Sequence, residues 1–146
     1  MKYSSAQAQA ILARAELLVT PAEVRVAVAR VADEIAVVLC EQQPLLLAVM
    51  RGGIVFAGRL LPLLQFPLDF DYIDATRYGE NMRGGELHWR MDVPAAARGR
   101  VVLLIDDILD EGRTLAAMRD RLLEQGALRV LIAVFAELRC AVGDRG

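Results

Sequence analysis

Residues 45–50 (LLLAVM) and 101–105 (VVLLI) are apolar runs with no polar break. Runs of this length belong to strands covered on both faces, because a half-exposed strand would alternate. A third run, 130–136, reads the same way, and strands buried on both sides require helices on both sides. Those helices are legible. Residues 6–19 carry helical periodicity, and Thr20, Pro21 and Glu23 supply the N-cap, N1 proline and N3 acid of a second helix. Its apolar stripe is Val24, Val28, Val31, Ile35 and Val38, with Pro44 as its stop. Residues 54–64 follow as a helix after the turn Arg51-Gly52-Gly53. A later helix over 114–125 places Leu115, Met118 and Leu122 on one face, with Gly126 as its C-cap. Leu68, Phe70 and Tyr72 alternate with Asp69 and Asp71 in a half-buried strand. The polar stretch TRYGENMRGG and the alternation of Leu87, Trp89 and Met91 then predict a long mobile hairpin, with Trp89 packed and His88 at the surface. The expected class is α/β, a central, mainly parallel sheet flanked by helices, in one domain over 1–146.

Composition narrows the function. With 146 residues the chain buries roughly two thirds of its unfolded surface in one core. Its apolar runs are broken by charge, as by Arg51 and Arg59, before reaching the about 20 residues of a membrane helix. MKYSSAQAQA has no apolar signal-peptide core, so a cytoplasmic location is expected. Cys40 and Cys140 are far apart and read as ordinary thiols. A net charge of −2 gives no general attraction to nucleic acid or anionic lipid, so any phosphate binding must be local.

The local candidate is IDDILDEGRT, after the run 101–105. In a parallel sheet, ligands sit outside the carboxyl ends of the strands, which is where this segment must lie. Asp106 and Asp107 crowd two like charges there, with Asp110 and Glu111 close behind. Vicinal sugar hydroxyls or a divalent cation would compensate them. Gly112 lets the backbone bend, and the amides from Asp110 through Arg113 to Thr114 open a helix that attracts an anionic phosphate. Complementing a helix dipole would account for Asp110 and Glu111 but not for the preceding pair. A response-regulator receiver also has an acidic pair, but early in the chain and with a later lysine, whereas here the sole lysine is Lys2.

The segment from Asp106 to Thr114 resembles the PRPP-binding motif of the type I phosphoribosyltransferases: two acids, two apolar residues (Ile108, Leu109), an acid, Glu111, Gly112, Arg113 and Thr114. Within that family the chain is similar to the hypoxanthine-guanine phosphoribosyltransferases, from about the second helix to Ala136. The resemblance implies a type I phosphoribosyltransferase-like fold with a long flexible hairpin loop. It also implies a diphosphate-binding turn at Met50, Arg51 and Gly52, with a non-proline cis peptide between Met50 and Arg51. The mobile loop would begin at Thr76, Arg77, Tyr78 and Gly79. Asp106 and Asp107 would hold the ribose hydroxyls. Asp110, Glu111, Gly112, Arg113 and Thr114 would hold the 5′-phosphate, and Asp110 would act as general acid or base at N7 of the purine. Mg²⁺ would bind mainly through PRPP, with Asp106 and Asp107 as the chain's own candidate ligands. The implied reaction is transfer of 5-phosphoribose from PRPP to hypoxanthine or guanine, giving IMP or GMP and diphosphate in purine salvage, by a homodimer or homotetramer with no nucleic-acid or membrane partner.

The family's last strand leads into a lysine, a base-stacking aromatic and a further segment completing the purine pocket. Here the sequence reads FAELRCAVGDRG, with Glu137 and Arg139 near the expected basic pair. The base-binding end is therefore expected to be truncated. The alternative is a catalytically impaired module that binds PRPP or a nucleotide and serves regulation or interaction.

Overall fold

The computed structural model describes residues 2–77, 87–109 and 112–137. Helix α1 (Ser5–Arg14) is followed by α2 (Pro21–Leu39), β1 (Leu45–Val49), α3 (Gly53–Leu60), β2 (Asp69–Arg77), β3 (Leu87–Met91), β4 (Val101–Leu109), α4 (Arg113–Glu124) and β5 (Arg129–Glu137). The five strands form one sheet in the order β3-β2-β1-β4-β5. Strands β2, β1, β4 and β5 run parallel, and β3 returns antiparallel beside β2. This is the expected α/β architecture. Strand β2 lies on one side of β1 and β4 on the other, so the order reverses between β1 and β4. In open α/β sheets that reversal leaves a crevice at the carboxyl ends of the two strands.

The unbroken apolar runs are explained by the alternation of side chains across the sheet. Leu46, Ala48, Leu103 and Ile105 pack against α2 and α3, in a layer with Val28, Ala32, Ile35, Phe56 and Leu60. Leu45, Leu47, Val49, Val102 and Leu104 point the other way, onto Leu115, Met118 and Leu122 of α4. Burying each such side chain contributes about 1.5–3 kcal/mol, so both faces of β1 and β4 are strongly specified. Trp89 and Leu87 pack at the margin of the α4 layer, and His88 is exposed, as the alternation predicted.

Several boundaries differ from the sequence reading. The first helix stops at Arg14 rather than continuing to residue 19, and it buries no residue, so periodicity alone had no partner surface to sustain it. In α2 the capping box is present, with the Glu23 amide donating to Thr20 Oγ1 at 3.2 Å and the Thr20 amide donating to Glu23 Oε2 at 2.7 Å. Its buried stripe, however, is Val28, Ala32, Ile35 and Leu39. Val38 is exposed, because it lies beside the i, i+4, i+7, i+11 line that these four residues make. Helix α2 ends at Leu39, before Pro44 is reached. The helix expected over 54–64 becomes a short 3₁₀ turn at Leu61–Leu63, where Pro62 supplies no amide. On β2, Phe70 and Tyr72 are exposed and Ile73 is buried, the reverse of the expected face, because the helices cover β1 and β4 more than this flank. Strand β5 is an edge strand with Ile132 and Phe135 exposed, not a fully buried one.

Candidate functional site

Strand β4 does not end with the apolar run but carries the acidic pair within its last residues. Asp106 pairs in register with Val134 of β5, and pairing resumes at Ile108 and Leu109. Asp106 follows Val102 and Leu104 in the alternation and Asp107 follows Leu103 and Ile105, but beyond the covering layers both carboxylates reach the same space at the strand end. Each carboxylate accepts the next backbone amide, Asp107 N–H to Asp106 Oδ1 and Ile108 N–H to Asp107 Oδ1, both at 2.8 Å. Burial and then the neighbouring Asp107 push the Asp106 carboxyl up to about 6.

The turn from β1 into α3 closes over these acids, and its two glycines allow it. A β-carbon on Gly52 would stand 2.5 Å from Asp107 Oδ1, and one on Gly53 would overlap the Ile105 carbonyl oxygen. Only glycine at both positions lets the start of α3 lie directly on the end of β4. The Met50–Arg51 peptide bond is cis. On the other side, Gly112 adopts a left-handed φ of +75° and starts α4 without a side-chain cap, leaving the helix start facing the strand ends.

Together these segments enclose a cleft of about 520 Å³ at the carboxyl ends of β1 and β4. Among the expected site residues, Met50, Gly52, Asp106, Asp107, Gly112, Arg113 and Thr114 line it. Arg51 is exposed and does not line the cleft, Thr76 lies in β2 outside it, and Arg77 is the last residue of β2. Asp110, Glu111, Tyr78 and Gly79 lie outside the described residues, as do Arg139 and Cys140. The sequence reading missed Ala75, Val49 and Leu115 as lining residues and Gly53 as a close-approach position. The Gly-Gly pair was a signal for the last; Ala75 and Val49 come together through the sheet register, and Leu115 through the docking of α4 on the sheet. A second chamber of about 310 Å³ lies on the α3 side and shares Gly52 and Asp107 with the cleft.

Among the described residues no three or more His, Cys, Asp or Glu side chains gather as a metal cage. The part-buried pair Asp106 and Asp107 fits a hard divalent cation that takes its remaining oxygens from a bound ligand. No helix among the described residues is long and apolar enough to cross a membrane.

The model of the phosphoribosyl transferase domain matches residues 16–145. A hypoxanthine-guanine phosphoribosyltransferase of Lactococcus lactis is 33% identical over 87 residues, which cover 59% of this chain and 48% of the relative. One of Streptococcus pneumoniae is 27% identical over 123 residues, 84% of this chain and 68% of the relative. The chain thus spans from about half to two thirds of the length of these relatives. Among solved structures, a hypoxanthine-guanine phosphoribosyltransferase of Bacillus anthracis superposes with a TM-score of 0.80 at 21% identity, covering 86% of this chain and 75% of that one. A hypoxanthine phosphoribosyltransferase of Staphylococcus aureus gives 0.77 at 18%, covering 84% and 77%. These solved structures share the fold, and the family match over most of the chain shows that it belongs to the phosphoribosyl transferase domain family.

Proposed function

We propose that the chain binds PRPP across the carboxyl ends of β1 and β4 and transfers its 5-phosphoribosyl group to hypoxanthine or guanine. The observation that carries this reading is that Asp106 and Asp107 both line one cleft at the end of β4, beside the glycine-started helix α4. Two carboxylates so placed accept hydrogen bonds from vicinal ribose hydroxyls. The segment Gly112-Arg113-Thr114, with Asp110 and Glu111 before it, takes the 5′-phosphate. Met50, Arg51 and Gly52 flank the diphosphate. In the reaction a ring nitrogen of the base forms a bond to C1 of the ribose as the C1–O bond to diphosphate breaks, and Asp110 exchanges the proton at N7. Asp106 and Asp107 would stand beside an Mg²⁺ held mainly by PRPP, which when bound would supply a charge sink for the leaving diphosphate. Tyr78 and Gly79, reached from Thr76 and Arg77 at the end of β2, belong to the loop that shields the reacting carbon from water. Exposed Ile54 and Leu63 on the surface of the α3 segment support assembly as a homodimer or homotetramer.

A second reading, a module that binds PRPP or a nucleotide without turnover, is favoured by Glu137, an acid at the end of β5 where the resemblance implies a basic residue. Diphosphate release from PRPP with hypoxanthine, guanine and xanthine separates the two. Base-dependent release is expected. No release with any base, alongside retained Mg²⁺-dependent PRPP binding, replaces the first reading by the second.

A further inference from the structure

The outer face of α2 does not have the composition of a purely solvated helix surface. Roughly opposite the buried stripe Val28, Ala32, Ile35 and Leu39 run Val26, Arg30, Asp33 and Val37, in steps of four, three and four residues. At 3.6 residues per turn these four fall within about 60° of one another around the helix. Val26 is 71% exposed and Val37 83%. Either valine alone would need no explanation, but together they bracket a pair of opposite charges on one line. Arg30 reaches only Glu34 of its own helix, at 3.9 Å, and Asp33 has no ion pair or hydrogen bond among the described residues.

The line is symmetric about the midpoint between Val31 and Ala32. Val26 and Val37 lie about 8 Å to either side of it along the helix axis, and Arg30 and Asp33 about 2 Å. A second copy of α2, laid antiparallel across a two-fold axis at that midpoint, therefore sets Val26 on the partner's Val37 and Arg30 on the partner's Asp33, each twice. Steps of four and three are also the seam spacing of paired helices, in which a central polar pair fixes register and direction. In a parallel pairing each residue would meet its own copy, and like charges would face each other at both central positions. We propose that α2 pairs antiparallel with α2 of a second copy of this chain through this line. One helix pair covers less than the roughly 800 Å² per partner of a standard interface, so the association is expected to be weak and reversible. The inference does not depend on the phosphoribosyl reading, and its surface is distinct from that of Ile54 and Leu63. A chain with two such two-fold interfaces closes into a tetramer, and a chain with one into a dimer.

Sedimentation velocity of the full chain over a concentration series measures the association, and engineered cysteines report its geometry. In a background of Cys40→Ser with Cys140→Ser, Val26→Cys combined with Val37→Cys should form an intermolecular disulfide about tenfold faster than either change alone. The reason is spacing: position 26 meets position 37 across the axis, whereas two copies of one position stand about 16 Å apart, too far to bridge. Arg30→Asp or Asp33→Arg alone sets like charges across the axis and should weaken association about tenfold. The two together restore the attraction and should return it to within about threefold of wild type. The pairing is overturned by a wild-type chain that shows no concentration-dependent association, by single cysteines that cross-link as fast as the pair, or by charge reversals that change nothing or fail to rescue each other.

Discussion

The polar cleft and the apolar chamber share a wall but are built in different ways. The cleft draws most of its polar groups from one stretch of chain, the end of β4 and the start of α4, where Asp106, Asp107, Gly112 and Thr114 follow one another closely. The chamber is assembled from the segment before α2, from α2 and α3 and from Phe135, more than a hundred residues apart in sequence. A site encoded contiguously keeps its geometry through local backbone rules. A site assembled from distant segments depends on every layer of the fold being in place.

The largest effect should come from the contiguous site. Replacing both acids, Asp106→Asn with Asp107→Asn, removes two charge-assisted acceptors and should weaken ribose 5-phosphate binding by about a hundredfold or more. Calorimetric titration checks this, and a change under threefold would place the sugar elsewhere. Next is the joint between the cavities. Gly53→Ala drives a β-carbon into the Ile105 carbonyl oxygen, which is backbone and cannot step aside, and should cost about 2 kcal/mol or more of stability in a urea melt. Retained stability would mean that α3 does not press on β4 as described. Smaller again is Gly112→Ala, which forces an L side chain into a φ of +75° and should cost about 1 kcal/mol by the same melt.

The last effect, no larger than that of Gly112→Ala, is electrostatic and depends on pH. The folded state raises the Asp106 carboxyl from 3.8 to about 6, so between these values the native chain binds more protons than the unfolded one. This group therefore lowers stability as pH rises from about 4 to about 6, and the penalty persists above that window. Asp106→Asn should accordingly stabilise the ligand-free chain at pH 7.5 by about 1 kcal/mol, after discounting for the solvent that still reaches the carboxyl. The gain should vanish near pH 4. A stabilisation that does not change with pH would assign the effect to packing instead of charge.

The same contrast explains what could be read in advance. The apolar runs announced β1 and β4 because a strand buried on both faces has no polar positions to mislead, and Leu115, Met118 and Leu122 announced the face of α4. The capping box at Thr20 and Glu23 fixed the start of α2 by local hydrogen bonds. The faces of β2 were inverted because alternation says which residues share a side but not which side a helix will cover. Val38 was misplaced for a related reason: the apolar residues of α2 cover more than one face, and only packing selects the line Val28, Ala32, Ile35 and Leu39. Of the cleft, the acids and the glycine before α4 were evident in the sequence, whereas Ala75 and Val49 arrive through strand register. The chamber was not visible at all, since nothing local in Phe135 or Arg59 marks them as neighbours of Asp107.

The account stands on the claim that the shared end of β1 and β4 holds a phosphorylated ribose. A crystal structure of the full chain with ribose 5-phosphate and Mg²⁺ addresses it most directly. The sugar hydroxyls are expected at the Asp106 and Asp107 carboxylates and the phosphate at Gly112 to Thr114; density for the ligand elsewhere on the molecule, with this cleft filled only by solvent, would contradict it.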